Sequence, residues 1–303
     1  EDAWRSAAIK KLWDERNRMQ YTPLYKFNIA GTPMTDFFYK DETKSPSGTL
    51  KHRFVWALVM WALEMGKITA NTTVYDSTSG NTGSSEAFMC QLIGVPFVGV
   101  ISKDLEAEKI AMITRYGGKI VKVETALRNH WAQKLAIENN GFFLNQFGNA
   151  DSAEEYHESG NYDGESTNVF HEIVMQMQNF WKLPLPHFFV HSAGTGGTIS
   201  SVGKYAKKYM LSTKIVLVDS QHSLYHDYVL YNKYTNLSSN DVGRPAWVKP
   251  GIPGIGYGYN TAPIIFGNTT SLVRSVIDEV ARIPDIATVA VMQHLHDTNN
   301  DAG

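Results

Sequence analysis

The sequence is poor in cysteine and has no long hydrophobic run. Its 303 residues include one cysteine, Cys90, so we expect neither an internal disulfide nor a cysteine metal cluster. The longest apolar stretch, residues 54–63, is shorter than the roughly 20 residues that cross a bilayer. The N-terminus shows no secretory signal pattern. We therefore expect no membrane partner and a cytoplasmic protein, with a mitochondrial location left open.

An excess of charge of one sign is also missing. The chain has 28 Lys and Arg against 30 Asp and Glu, a net charge of −2. Proteins that follow nucleic-acid phosphates normally carry a basic excess or stripe, so we expect no nucleic-acid partner. Hydrophobic residues at 43% and charged residues at 19% are typical of a chain with a sizeable core. At roughly 150 residues per domain, the length predicts about two domains.

Short β-rich segments alternate with longer helical patterns from residue 72 onward. This alternation predicts crossover units, a largely parallel sheet and an α/β fold class. Two polar or Gly/Pro-rich segments interrupt it, at residues 149–164 and 238–259, and predict a long connection and an irregular loop. The predicted strands are 73–75, 97–101, 120–123, 142–144, 188–190 and 215–218, and the predicted helices are 54–63, 82–92, 105–116, 126–138, 166–181 and 198–209.

A glycine-rich segment, residues 193–198, lies between a predicted strand and a predicted helix. Glycines let backbone amides approach an anion, and the start of a helix adds partial positive charge, so this segment predicts a phosphate site. Ile199 stands where the dinucleotide fingerprint needs glycine, and the lysine of a P-loop is absent. The segment is therefore a cradle for one phosphate without a nucleotide motif, or alternatively a plain turn.

Two further segments carry candidate chemistry. Residues 76–83 place small hydroxyls and an amide at a predicted helix start, which suits a substrate carboxylate, although a simple N-cap is the alternative. Lys51 heads an apolar helix, where the positive helix end and partial burial would lower the pKa of its amine and favour a nucleophile, although a lone lysine is far more often a solvated surface residue. His222 and His226 are spaced i, i+4 without an intervening Glu, so no metal site is expected. Together, the phosphate cradle, the carboxylate-binding segment and the candidate amine nucleophile suit pyridoxal phosphate and an amino-acid substrate.

These segments resemble those of the fold-type II pyridoxal-phosphate enzymes, in the cysteine synthase / cystathionine β-synthase family. Residues 46–51, 78–83 and 194–198 occur in the family's order and spacing, and residues 145–147 and 254–256 resemble two minor family segments. The resemblance extends from about residue 22 to the end. Cysteine synthases usually have Lys-Asp-Arg where this chain has Lys-His-Arg at 51–53, a form more similar to the cysteine desulfhydrase branch.

The resemblance implies two three-layer α/β domains with largely parallel sheets, the tryptophan synthase β-like fold, with the cofactor between them. The smaller, mobile domain would span residues 45–155, with Lys51 and the substrate loop. The larger domain would comprise residues 1–44 plus 156–303, with the phosphate loop. A further family segment would follow residue 303, so the resemblance implies that the C-terminal part of the larger domain is missing from this chain. The family is usually dimeric, which implies a homodimer.

The resemblance also implies a role for each motif residue. Lys51 would bind pyridoxal 5'-phosphate as a Schiff base and serve as acid and base at the substrate Cα, and Asn81 would hydrogen-bond the cofactor's phenolic oxygen. Five residues would hold its phosphate, namely Gly194, Thr195, Gly196, Gly197 and Thr198. The substrate carboxylate would be bound by Thr78, Ser79, Thr82 and Gln146, with Gly256 near the substrate.

The activity implied by the desulfhydrase-like motif is β-elimination on L-cysteine, a carbon–sulfur lyase reaction that releases hydrogen sulfide, pyruvate and ammonia. Two alternatives stay open at this point. One is β-replacement by a cysteine synthase of the O-acetylserine or cyanoalanine type. The other is a non-catalytic or truncated relative that acts as a binding or sensing protein, against which the presence of Lys51 argues.

Overall fold

The structure, a computed structural model, describes residues 1–154, 156, 166–233, 252, 254–257 and 270–301. The chain divides into two compact units, Glu1–Pro184 and Leu185–Gly303. The division into residues 45–155 and the remainder, implied by the family resemblance, stays a prediction. Most of the predicted loop at residues 238–259 lies outside the described residues, as does most of the predicted connection at 149–164.

The first unit contains a four-stranded parallel sheet with the strand order β5-β4-β3-β6. Its central strand β4 has the sequence FVGVIS, and five of its six residues are buried, as expected of a parallel strand covered on both faces. A separate antiparallel hairpin pairs β1 with β2. The strands are β1 (Leu24–Phe27), β2 (Phe37–Lys40), β3 (Val74–Ser77), β4 (Phe97–Ser102), β5 (Lys119–Val123) and β6 (Phe142–Phe143).

Helices cover both faces of this sheet. Alternate side chains of each strand point to opposite faces, so neighbouring residues of one strand pack against different helices. Val74 of β3 belongs to a large core cluster that also contains residues of α1, α2 and α3. The next residue, Tyr75, packs in a separate cluster with Ala136 of α5. The helices are α1 (Asp2–Arg18), α2 (Lys51–Glu64), α3 (Asn81–Ile93), α4 (Ala107–Thr114), α5 (Arg128–Glu138), α6 (Ala150–Glu154) and α7 (Val169–Gln176), the last followed by a π-helical turn, Met177–Trp181.

The second unit contains a three-stranded parallel sheet with the order β7-β8-β9. Its elements are β7 (Phe188–His191), α8 (Gly197–Lys208), β8 (Lys214–Ser220), α9 (Tyr225–Tyr231), β9 (Glu279–Ile283) and α10 (Asp285–Asp301). Within the described residues, no helix combines the length and the hydropathy needed to cross a membrane.

The observed elements confirm the predicted α/β class and its parallel sheets. The predicted helix at 54–63 begins earlier, at Lys51, because the turn before it supplies hydrogen-bond acceptors to the first helical amides. The predicted helix at 166–181 begins later, since Asn168 caps it by accepting a hydrogen bond from the Phe170 amide. Its last five residues form the π-helical turn.

Candidate active site

Lys51 is the first residue of α2, and a tight turn precedes it. The Ser45 hydroxyl accepts a hydrogen bond from the Thr49 amide at 3.0 Å, and the Lys51 amide donates to the Thr49 hydroxyl at 3.1 Å. The Lys51 side chain is partly buried. Burial lowers the pKa of its amine from 10.5 to about 8, because desolvation penalises the charged form. A fraction of the amine is therefore neutral, and nucleophilic, near neutral pH.

The loop between β3 and α3 contains the predicted carboxylate-binding residues. The buried Thr78 hydroxyl accepts hydrogen bonds from the amides of Gly80 and Gly83, at 3.1 and 2.9 Å. This hydroxyl therefore holds the loop in shape. Ser79 is partly exposed at the loop's turn, and Asn81 begins α3 with an exposed side chain that accepts a hydrogen bond from Lys109 Nζ at 3.0 Å.

Thr82 and Gln146 come together where two neighbouring parallel strands end. The Thr82 hydroxyl donates to Gln146 Oε1 at 2.7 Å, and Gln146 Nε2 donates to the Ser77 carbonyl at 2.6 Å. Both side chains are buried. The 64 residues that separate them in sequence are bridged because β3 and β6 are adjacent and parallel, so the loops after both strands share one edge of the sheet.

Two buried carboxyl groups, neither of them predicted as a site residue, support this cluster. Asp76 Oδ2 accepts a hydrogen bond from the Gln146 amide at 2.9 Å, and burial raises its pKa to about 6. Glu86 of α3 is fully buried, and desolvation together with the Asp76 charge raises its pKa well above the ordinary range. An acidic residue directly before the apolar stretch Ala87–Cys90 of the helix is the signal that could have identified Glu86.

In the second unit, the predicted phosphate loop connects β7 to α8, and α8 has no acidic residue in its first turn. Gly196 has a φ of +88°, and an added Cβ there would lie 2.5 Å from the Leu272 backbone nitrogen. The Thr195 carbonyl accepts a hydrogen bond from the Ser271 amide at 2.8 Å. Gly256 lies beside this loop, because its amide donates to the Ala193 carbonyl at 2.7 Å. Neighbouring backbone thus fixes the loop at the start of a twelve-residue helix.

The predicted site residues therefore form two groups, one in each unit. Lys51, Thr78, Ser79, Asn81, Thr82 and Gln146 belong to the first unit, whereas Gly194, Thr195, Gly196, Gly197, Thr198 and Gly256 belong to the second. The described residues contain no group of three or more His, Cys, Asp or Glu side chains that could hold a metal ion.

Comparison with protein families gives a match to the pyridoxal-phosphate dependent enzymes over residues 17–300. The chain belongs to this family. A relative from Caenorhabditis elegans, described only as a pyridoxal-phosphate dependent protein, is 53% identical over all of this chain and 69% of its own length. The L-cysteine desulfhydrase Cds1 of Mycobacterium tuberculosis is 30% identical over 97% of this chain and 74% of its own length.

Solved structures share the fold. A hydrogen sulfide-producing enzyme from Fusobacterium nucleatum matches with a TM-score of 0.71, 22% identity, and coverage of 91% of this chain and 75% of that one. O-ureido-L-serine synthase matches with a TM-score of 0.68, 24% identity, and coverage of 92% and 76%. These matches confirm the predicted fold type, and the family match confirms pyridoxal phosphate as the cofactor.

The described residues fit this cofactor chemically. A phosphate requires amides at a helix start with no nearby acid, and the loop before α8 offers such a start. An aldehyde requires an amine that is neutral in part, and the lowered pKa of Lys51 provides one.

Proposed function

We propose that this member of the family eliminates sulfide from L-cysteine. With water, each L-cysteine gives one pyruvate, one ammonia and one hydrogen sulfide. The observation that carries the proposal is the partly buried Lys51 amine with a pKa of about 8, in the same unit as the buried Thr82–Gln146 pair. The similarity to an L-cysteine desulfhydrase over 97% of the chain supports the choice of reaction.

Lys51 would act twice, first as the amine that holds the cofactor and then as the base at the substrate Cα. Bound pyridoxal phosphate withdraws electrons from the substrate and so makes the Cα proton acidic. Because the pKa of Lys51 is about 8, roughly a tenth of the free amine is neutral at pH 7 and able to accept that proton. The electron pair left at Cα then forms the bond to Cβ, and sulfide departs from Cβ.

The residues around the β3–α3 loop would bind the amino acid. We assign the substrate carboxylate to the start of α3, with Ser79, Thr82 and Gln146 as the polar contacts and Thr78 as the residue that shapes the loop. Arg128 adds a positive charge, and it donates to the Thr78 carbonyl at 3.0 Å. No acid lies within residues 78–83 to oppose an anion.

The phosphate loop, from Gly194 to Thr198, would hold the cofactor phosphate, and Asn81 would contact the ring's phenolic oxygen. Gly256 would line the substrate side. The Lys109 amine that now bonds Asn81 would then have to give up this contact or share it. We further propose that residues 45–155 form the smaller functional domain, that the protein is a homodimer and that it is cytoplasmic.

A second reaction, β-replacement, has one observation in its favour. Cysteine synthase B of Campylobacter jejuni is 30% identical over 66% of this chain and 62% of its own length. Elimination and replacement would use the same lysine and the same carboxylate loop. The two reactions differ in whether a second nucleophile is needed before product leaves.

Product release from L-cysteine separates the two reactions. We expect the purified protein with pyridoxal phosphate to release pyruvate and sulfide in equal amounts from L-cysteine alone. Lys51→Ala should abolish both products, whereas Lys44→Ala, at an exposed lysine before the same helix, should leave them unchanged. Sulfide consumption with O-acetylserine, together with no pyruvate from L-cysteine, would instead establish replacement.

A further inference from the structure

His52, the residue after the cofactor lysine, is a buried member of a hydrogen-bond chain. Its side chain is on the first turn of α2 and is 1% exposed. Nε2 lies 3.0 Å from Glu15 Oε1 of α1, and Nδ1 lies 3.0 Å from Ser47 Oγ in the turn before α2. Glu15 is 5% exposed. Both ring nitrogens are thus engaged, on opposite sides of the ring.

Hydroxyl groups continue the chain from Ser47 back to Lys51. Ser47 Oγ lies 2.8 Å from Ser85 Oγ of α3, and Ser85 Oγ lies 3.0 Å from Thr49 Oγ1. The Lys51 backbone amide donates to Thr49 Oγ1 at 3.1 Å. All three hydroxyl side chains are buried.

The charge of Glu15 gives this chain one direction. The hydrogen bond from His52 lowers the pKa of Glu15, so its carboxylate accepts and Nε2 donates. A neutral ring that donates from Nε2 can only accept at Nδ1. Ser47 would then donate to Nδ1, Ser85 to Ser47, and Thr49 to Ser85. Each hydroxyl therefore donates once and accepts once, from the Lys51 amide to the Glu15 carboxylate.

The chain connects the starts of two helices. The Lys51 amide is one of the first amides of α2, which have no partner within the helix. Ser85 lies in α3, so the chain also reaches that helix. The Asn81 carbonyl at its start lies 3.4 Å from the Thr49 hydroxyl and 3.3 Å from Ser85 Oγ, and it competes for the same two hydroxyl hydrogens. We therefore expect a change at His52 to affect both helix starts, and not only the packing of α2 on α1.

We propose that His52 is a positioning residue: linked to Glu15 and to the hydroxyls of Ser47, Ser85 and Thr49, it holds Lys51 and Asn81 in the relative position that the reaction needs. This proposal rests on the proposed role of Lys51. An imidazole suits the position because its two nitrogens reach both Ser47 and Glu15. An aspartate there would set a second carboxylate against Glu15, which is unfavourable in a buried site.

Variants at two points of the chain test this role in the protein loaded with pyridoxal phosphate. Ser47→Ala removes one hydroxyl, and Ser47→Thr keeps it. His52→Asn retains a polar group toward Ser47 and loses the one that reaches Glu15. Val59→Ala is the matched control, because Val59 is fully buried in the same helix and has no place in the chain.

We expect Ser47→Ala and His52→Asn to lower kcat for L-cysteine by about tenfold to 100-fold, the effect of a displaced catalytic group. We expect KM to change by less than about threefold, because a misplaced base affects the transition state more than binding. Both variants should shift the pH midpoint of the cofactor's absorption band near roughly 410–420 nm, which a protonated lysine–cofactor bond produces. Ser47→Thr should retain kcat and this midpoint, and Val59→Ala should lower only the unfolding temperature.

Three outcomes would be decisive. If Ser47→Ala and His52→Asn lower the unfolding temperature as Val59→Ala does, yet keep kcat and the spectral midpoint, the chain is structural and the proposal is wrong. If ¹⁵N spectra place the His52 proton on Nδ1, the inferred direction is wrong. If the wild type releases no sulfide from L-cysteine but the variants still shift the spectrum, the positioning role stands and the proposed reaction fails.

Discussion

Replacing Lys51 by methionine should stabilise the cofactor-free protein, because the native fold holds this amine at a cost. The pKa falls from 10.5 to about 8 on folding, and at 1.36 kcal/mol per pKa unit this corresponds to about 3 kcal/mol. Part of the side chain stays exposed, so water screens part of the penalty and about 3 kcal/mol is an upper limit. Methionine has a similar length and no charge to desolvate.

The pH dependence distinguishes this effect from a simple gain of hydrophobic contact. Between pH 8 and 10.5 the unfolded chain holds a proton on Lys51 that the folded protein has lost, so folding becomes more favourable as the pH rises. The penalty is fully present below about pH 8 and disappears toward pH 10.5. We expect Lys51→Met to be more stable by up to about 3 kcal/mol at pH 7, and by about half of that at pH 9.5.

Urea denaturation followed by tryptophan fluorescence measures this difference. Six of the seven tryptophans precede residue 184, so the signal reports mainly on the unit that contains Lys51. Lys44→Met, at an exposed lysine of the same unit, is the control and should show no comparable gain. A Lys51→Met protein that is no more stable at pH 7, or equally stabilised at both pH values, would refute the reasoning.

Three further predictions concern the loops and the buried acids. Burial and the charge of Asp76 raise the pKa of Glu86, so the folded protein keeps a proton there that the unfolded chain loses above about pH 4.5, and wild-type stability falls as the pH rises. Glu86→Gln should therefore flatten the slope of unfolding temperature against pH. An unchanged slope would contradict this. An added Cβ at Gly117 meets nothing within 4 Å, so Gly117→Ala should cost about 1–2 kcal/mol of left-handed strain. At Gly196 an added Cβ would also overlap the Leu272 backbone, so Gly196→Ala should lower the unfolding temperature more than Gly117→Ala does. It should also weaken cofactor binding in a fluorescence titration. Equal losses of unfolding temperature in the two variants would disprove the steric argument. Thr82→Val removes the hydroxyl that donates to Gln146 Oε1, and loss of this buried hydrogen bond should cost about 1–3 kcal/mol. We expect it to raise KM for L-cysteine more than it lowers kcat, and an unchanged KM would remove Thr82 from the substrate site.

The elements that the sequence predicted well are those with strong local signals. Strand β4 is a continuous apolar run bounded by turn residues, and α3 ends at Gly94, whose φ of +83° suits a helix C-terminus. The hairpin of β1 and β2 was not predicted, because three of the four β1 residues are exposed and show no alternation. Helix α1 was also missed, since it buries little besides Ala8, Leu12 and Glu15.

In the site, too, short segments could be predicted from the sequence, whereas contacts between residues far apart in the chain could not. The positions of the predicted phosphate loop and of the segment that contains Thr82 could be read from the sequence, because each is a short stretch between a strand and a helix. The bond between His52 and Glu15 joins residues 37 positions apart, and only the packing of α1 against α2 brings them together. The buried pairing of Asp76 with Glu86 likewise depends on the register of a strand against a helix, which local sequence does not specify.

We propose that Lys51 is the lysine that binds pyridoxal phosphate. Borohydride reduction of the loaded protein, followed by peptide mapping, tests it directly, because reduction makes the lysine–cofactor bond permanent. We expect the label on Lys51 in the wild type and no label in Lys51→Ala. A label on another lysine, such as the buried Lys40 that pairs with Glu172, or sulfide release from a protein that takes up no label, would contradict the account.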